Sequence, residues 1–244
     1  MGAKISPSLM CSSMLNLPKY LDVFKSKGVD YLHIDIMDAH FAENLTFGVD
    51  QVREMRELAG GVPFDFHFMV YNPEYRLNWF DIRAGDLVSF HPQASKNVKG
   101  VIDYIRSLDA KPILALSTEQ PVDVVLPYID RVDGVMMMAV QVGFAGNKII
   151  PNAFDKMKQL YSAISQFHDA ETLENGFIVE VDGNMSPENA CKMRALGANM
   201  FVAGTSAIFN GNPSDASALI DEFLEAIGNG ATGNVGNGGE KVGE

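Results

Sequence analysis

His33-Ile34-Asp35-Ile36-Met37-Asp38 and Phe64-Asp65-Phe66-His67-Phe68-Met69-Val70 are apolar runs of strand length interrupted by His and Asp. In the first, His33 and Asp35 are spaced i, i+2, so on a β-strand both point the same way. Val179-Glu180-Val181-Asp182-Gly183 repeats the pattern, and Gly204-Thr205-Ser206 adds a glycine-bearing turn. These segments lie far apart in the chain. Whether they form one site depends on a fold that gathers strand ends.

Strand-length apolar runs recur near 4–10, 29–37, 64–70, 86–91, 111–117, 132–140, 177–182 and 200–204. Patterns of helical period lie between them, at 17–27, 50–59, 74–83, 98–108, 122–129, 153–167, 187–196 and 216–227. Eight strand–helix units without a large shift in composition fit a single (β/α)8 TIM barrel better than a doubly wound sheet. Ser186 before Pro187 reads as a helix N-cap, and Gly28, Gly85 and Gly197 stand where helices end. The barrel is expected to occupy residues 1–227. Residues 228–244 are rich in Gly and Asn, with only Ala231, Val235 and Val242 apolar, and are expected to be disordered.

The 244 residues are 47% apolar and 20% charged, with a net charge of −12. No basic stripe is visible to neutralise phosphates, which argues against a nucleic-acid partner. A phosphorylated small molecule stays possible, because backbone N–H groups can hold it. Cys11 and Cys191 are the only cysteines and have no redox or zinc spacing, as in a reduced cytoplasmic protein. No leader and no membrane-length apolar run is visible, so a cytoplasmic protein without membrane contact is expected.

In such a barrel the active site lies at the C-terminal ends of the strands. His33 and Asp35 stand near the end of the second strand, His67 near the end of the third and Asp182 near the end of the seventh. Two His and two Asp can hold a divalent ion and leave positions open for substrate oxygens. Inverting a carbon next to a carbonyl needs an acid/base group on each face, and a metal stabilises the enediolate between them. Asp35 and Asp182 suit that pair. Glycine-bearing turns after the sixth, seventh and eighth strands offer a phosphate seat: Gly143-Phe144-Ala145-Gly146, Gly183-Asn184 and Gly204-Thr205. Plainer readings compete. An isolated His-x-Asp is as readily a buried polar pair, Asp38 reads as a turn cap, His40 and His91 as supporting residues beside the site, His168 as a solvated surface residue, and Met136 and Met137 as core.

These segments, with Ser6-Pro7-Ser8, resemble the ribulose-phosphate 3-epimerase family from Lys4 to about Phe209, in order and spacing. The resemblance implies one divalent metal (Zn, Mn, Fe, Co or Mg) held by His33, Asp35, His67 and Asp182. It implies proton transfer by Asp35 and Asp182, and substrate contact by Ser8, His67, Met37, Met69 and Met138. A phosphorylated sugar is the implied substrate, and a homo-oligomer is expected. Ser6-Pro7-Ser8-Leu9-Met10-Cys11, Gly143-Phe144-Ala145-Gly146 and Gly204-Thr205-Ser206-Ala207-Ile208-Phe209-Asn210 look closer to the D-allulose-6-phosphate 3-epimerase branch than to pentulose-phosphate enzymes. The family's usual Asp-Gly-His-Phe is here Asp38-Ala39-His40-Phe41, its Pro before Asn44 is Glu43, and Asn184 replaces a Gly. The loop 141–147 also departs from the family's usual sequence. Related phosphosugar decarboxylases carry Asp-x-Lys-x-x-Asp on a barrel strand, and Asp35-Ile36-Met37-Asp38 has no Lys. A non-catalytic phosphosugar-binding barrel is a third reading, weakened by the presence of both acids.

Overall fold

The computed structural model describes residues 2–229, so the expected tail beyond 229 lies outside the described residues. Its eight strands are β1 (Lys4–Pro7), β2 (Leu32–Met37), β3 (Phe64–Met69), β4 (Leu87–Phe90), β5 (Lys111–Leu116), β6 (Gly134–Met138), β7 (Ile178–Asp182) and β8 (Met200–Ala203). All pair in parallel, in the order β1-β8-β7-β6-β5-β4-β3-β2. A parallel bridge between Ser8 and His33, with the Tyr31 N–H donating to the Ile5 carbonyl at 3.4 Å, brings β1 against β2 and closes the ring. The alternation in the sequence therefore folds as the (β/α)8 barrel it predicts.

Among the described residues seven α-helices surround the strands: α1 (Leu17–Lys27), α2 (Val49–Leu58), α3 (Val98–Ser107), α4 (Ala153–Ile164), α5 (Ala170–Asn175), α6 (Pro187–Ala195) and α7 (Ala216–Asn229). In α1, Leu17, Tyr20, Leu21 and Phe24 are buried at helical spacing. Each large apolar side chain so buried stabilises the fold by roughly 1.5–3 kcal/mol. Gly28 ends α1 with φ 64, a left-handed conformation that costs glycine little. Ser186 caps α6 by accepting from the Asn189 N–H at 3.2 Å, as its position before Pro187 predicts.

Two predicted helices take another form. Residues 74–83 are short 3₁₀ turns, Pro73–Tyr75 and Leu77–Trp79, because Phe80 leaves the helical path to pack on Phe68 at 5.5 Å and Phe66 at 6.2 Å. Residues 122–129 are also 3₁₀ turns, Val122–Val124 and Leu126–Arg131; Pro127 lacks the N–H an α-helix needs there. Leu9–Cys11 forms a 3₁₀ turn rather than prolonging the first strand. The short helix α5, capped by Asp169 accepting from the Thr172 N–H at 2.8 Å, is absent from the sequence reading.

Strand alternation sorts the side chains into two layers. Leu32, Ile34, Ile36, Phe64, Phe66, Phe68, Val179 and Val181 join the core beneath the helices. Leu87, Ile113, Ala115, Met136, Met138, Ile178 and Met200 form a separate cluster in the barrel interior. His33, Asp35, Asp65, His67, Glu180 and Asp182 have the inward parity, so the chemistry-bearing residues project into the barrel.

Candidate active site

β2 and β3 pair with His33 opposite Asp65 and Asp35 opposite His67. Register thus puts an imidazole and a carboxylate at each of two levels. His33 Nε2 lies 3.4 Å from Asp35 Oδ1 and 4.0 Å from Asp182 Oδ2. His67 Nδ1 lies 3.6 Å from Asp35 Oδ1 and 3.5 Å from Asp182 Oδ2. Ligand atoms about 2.0–2.1 Å from a tetrahedral ion stand roughly 3.3 Å apart, close to this spacing. His33 Nε2 and His67 Nδ1 are both buried without a hydrogen-bond partner. Two orphaned nitrogens facing two carboxylates make a donor set that fits a divalent cation.

Beneath this level lies a second set of buried polar groups. Asp65 Oδ2 accepts from the Ser6 hydroxyl at 2.9 Å and sits 2.6 Å from His33 Nδ1, while Glu180 Oε1 is 4.0 Å from the same nitrogen. The Asp65 contact leaves His33 to present Nε2 to the cluster. Burial and then the Asp65 charge push the Glu180 carboxyl well above the usual carboxylate range. Burial opposes charge on Asp35, yet His33 and then His67 hold its pKa well below the usual range. Burial likewise disfavours the charged rings, but Asp65 and Asp35 raise His33 and Asp182 and Asp35 raise His67.

Asp35 and Asp182 front a cleft open to solvent, whose empty space counted out to its mouth is about 560 Å³. Ser8, Met37, Met69 and Met138 line it, as do Gly143, Phe144, Ala145, Gly146, Gly183, Asn184, Gly204 and Thr205. No Lys or Arg is among its lining residues. His33 and His67 are fully buried beside the two carboxylates and are not among the residues that line the cleft. Asn184 takes φ 54, with its amide donating to the Asn147 carbonyl at 2.9 Å, and Asn44 donates to the Gly143 carbonyl at 2.7 Å. The loop over the cleft is therefore tied from both sides.

Asp38 caps its turn, accepting from the N–H groups of His40, Phe41 and Tyr71 at 2.9, 2.8 and 3.0 Å. His40 is exposed and outside the cleft wall. Met136 and Met137 are buried core. His168 differs from its expectation as a solvated residue: it is half-buried, with its ring 4.5 Å from that of Phe177. Sequence reasoning passed over Asp65, Glu180 and Ser117. The first two stand two residues before His67 and Asp182, so strand parity was the signal that could have found them.

The fold and site define a parallel (β/α)8 barrel with a buried His and Asp cluster able to hold a metal ion at its strand ends. The family model "Ribulose-phosphate 3 epimerase family" matches residues 4–209, and the chain belongs to that family. It is 33% identical to ribulose-phosphate 3-epimerase from Methanocaldococcus jannaschii over 225 residues, covering 91% of this chain and 90% of the relative. It is 31% identical to the Escherichia coli ribulose-phosphate 3-epimerase over 225 residues, covering 91% and 95%. A tryptophan synthase α-subunit from Pyrococcus furiosus shares the fold, with a TM-score of 0.63, 14% identity and coverage of 92% and 98%. Among the described residues, no helix is long and apolar enough to cross a membrane.

Proposed function

We propose that this chain catalyses the metal-dependent 3-epimerisation of a ketose phosphate. The observation that carries the reading is the convergence of Asp35 Oδ1 and Asp182 Oδ2 on the partnerless His33 Nε2 and His67 Nδ1, with both carboxylates fronting the cleft. His33, Asp35, His67 and Asp182 would hold one divalent ion, of the Zn, Mn, Fe, Co or Mg type. When bound, that ion stabilises negative charge developing on the substrate oxygens beside C3.

Asp35 and Asp182 act as the two proton-transfer groups. They come from β2 and β7, three strands apart around the ring, and so address the substrate from different sides. One removes the C3 proton of one epimer, and the other returns a proton to the opposite face. Ser8 holds Asp35 Oδ2 at 2.8 Å. Met37, Met69 and Met138 are almost fully buried around the carboxylates; they exclude water from the reacting carbon and offer polarisable thioethers to a planar intermediate. The phosphate sits on backbone N–H groups of the turns at Gly143–Gly146, Gly183–Asn184 and Gly204–Thr205, since the cleft wall supplies no cation.

Two substrates follow from two observations. The relatives are named for ribulose phosphate, which supports interconversion of D-ribulose 5-phosphate and D-xylulose 5-phosphate. The segments at 6–11, 143–146 and 204–210, which line or adjoin the cleft, resemble the D-allulose-6-phosphate 3-epimerase branch, and on that resemblance we favour the D-allulose 6-phosphate to D-fructose 6-phosphate reaction. The free thiols Cys11 and Cys191 suit a reducing compartment, and we place the enzyme in the cytoplasm.

Incubation with each ketose phosphate in D2O tests the reaction. Deuterium at C3 with inversion supports the epimerase; release of carbon dioxide, or no exchange, refutes it. Comparison of kcat/KM for D-allulose 6-phosphate and D-ribulose 5-phosphate then decides the substrate, and a higher value for the pentulose overturns the preference.

A further inference from the structure

A buried chain of polar side chains runs outward from His67. His67 on β3, His91 just past β4 and Ser117 just past β5 lie on three adjacent strands, all with the inward parity. His67 Nε2 lies 3.0 Å from His91 Nε2, and His91 Nδ1 lies 2.9 Å from the Ser117 hydroxyl. The Gln93 side-chain amide donates to the same hydroxyl at 2.7 Å. Both rings are fully buried, and Ser117 is nearly so.

The order of contacts dictates where the protons sit. If His67 Nδ1 faces the ion, its remaining proton is on Nε2. That N–H is placed to donate to His91 Nε2, which must then be an acceptor. His91 is consequently neutral, with its proton on Nδ1 and directed at Ser117. Ser117 Oγ uses its lone pairs for His91 and Gln93. A ligating His commonly gives its outer N–H to a carboxylate or carbonyl, as His33 does to Asp65. His67 instead gives it to a second imidazole.

We propose that His91, clamped by Ser117 and Gln93, is a positioning residue that locks His67 in the tautomer whose Nδ1 faces the metal cluster. The inference rests on the metal reading of the site. Simple space-filling is a separable role, because a phenylalanine at position 91 would still pack against Phe41, whose ring centroid is 4.6 Å away.

The test is zinc affinity of the metal-free protein, measured by competition with a chromophoric chelator. His91→Phe removes the acceptor and keeps an aromatic ring; His91→Gln restores an oxygen acceptor toward His67 and a donor toward Ser117. His91→Phe should weaken zinc binding about 10–100-fold. His91→Gln should recover most of that loss. Ser117→Ala, a smaller change that removes the clamp, should weaken binding roughly tenfold and serves if His91→Phe fails to fold. Long-range ¹H–¹⁵N NMR of the zinc-loaded wild type should show the proton of His67 on Nε2 and that of His91 on Nδ1. Unchanged affinity in His91→Phe or Ser117→Ala, no recovery in His91→Gln, or the opposite tautomers would overturn the inference alone. A wild-type chain that binds no zinc would overturn both it and the metal reading.

Discussion

The Ser8 hydroxyl donates to Asp35 Oδ2 across 2.8 Å, and both residues are buried. Ser8 also bridges His33, so the contact that closes the barrel is next to the one that orients the acid. Hydrogen bonds to charged groups contribute about 1.5–3 kcal/mol. Ser8→Ala should therefore lower kcat/KM by roughly tenfold or more. Steady-state rates in both directions check this, and a change under about twofold would remove Ser8 from the machinery.

Asp35→Asn and Asp182→Asn should each abolish epimerisation. A general acid or base contributes about 10²–10⁴-fold, and each variant also loses a ligand to the ion. One base remains on one face, so each variant should retain C3 proton exchange with only one epimer. Tritium or deuterium wash-in separates the two faces. Retention of more than about a tenth of the wild-type rate, far above that expectation, would end the two-base assignment.

Chelation should inactivate the enzyme, and divalent ions should restore it. The pH dependence has a definite sign. Against the effect of burial, the neighbouring carboxylates raise both rings above the ordinary imidazole pKa in the metal-free protein. His33 Nε2 and His67 Nδ1 must each give up a proton to bind the ion. Affinity should rise with pH until the raised pKa values are passed, and fall toward acid. Calorimetry in buffers of different ionisation enthalpy reads the released protons. Affinity that is flat from pH 6 to 8, around the ordinary imidazole value of about 6.5, would contradict the assignment.

Ala39 stands at φ 59, in the left-handed region where the family's usual residue is Gly. The N–H of Ala39 donates to the Asn44 carbonyl at 3.0 Å and holds the turn after β2 in that conformation. A Cβ costs roughly 1–2 kcal/mol in this region. Ala39→Gly should stabilise the protein by about 1 kcal/mol, raising Tm by about 2–4 °C. Calorimetry that finds a lower Tm would show that Ala39 contributes packing the geometry does not reveal.

Gly204 lies in the proposed phosphate seat at a backbone conformation open to other residues, and a Cβ at this position would meet Cys11 Sγ at 3.2 Å. Gly204→Val should raise KM strongly by keeping the anion off the turn, while the metal content stays at the wild-type level. An unchanged KM would move the phosphate elsewhere.

The barrel was legible because its signal is local. Alternation along 32–37 and 64–69 marks strands, and the i, i+2 spacing of His33 with Asp35 puts both on one face whatever follows. The helical pattern at 17–27 survives for the same reason, with Leu17, Tyr20, Leu21 and Phe24 buried at helical spacing. The pattern at 74–83 fails because Phe80 gains more from Phe66 and Phe68 on the neighbouring strand than from continuing a helix. At 122–129 the local signal was present in Pro127 and outweighed by apolar spacing.

The strands, their order along the chain and the inward parity of every residue in the candidate site were already set by the pattern of residues. What each inward residue would do was not. Asp65 and Asp35 share the same pattern, yet only Asp35 fronts the cleft, while Asp65 is fully buried beside His33. Glu180 and Asp182 differ likewise by one level in the barrel. These roles emerge with the folded barrel, because its closure and strand register set each residue's height, and height sets its distance to groups from other strands and to water. Hydrogen bonding and charge act over a few ångströms, and residues such as His67, His91 and Ser117 meet within that range only after the barrel has formed.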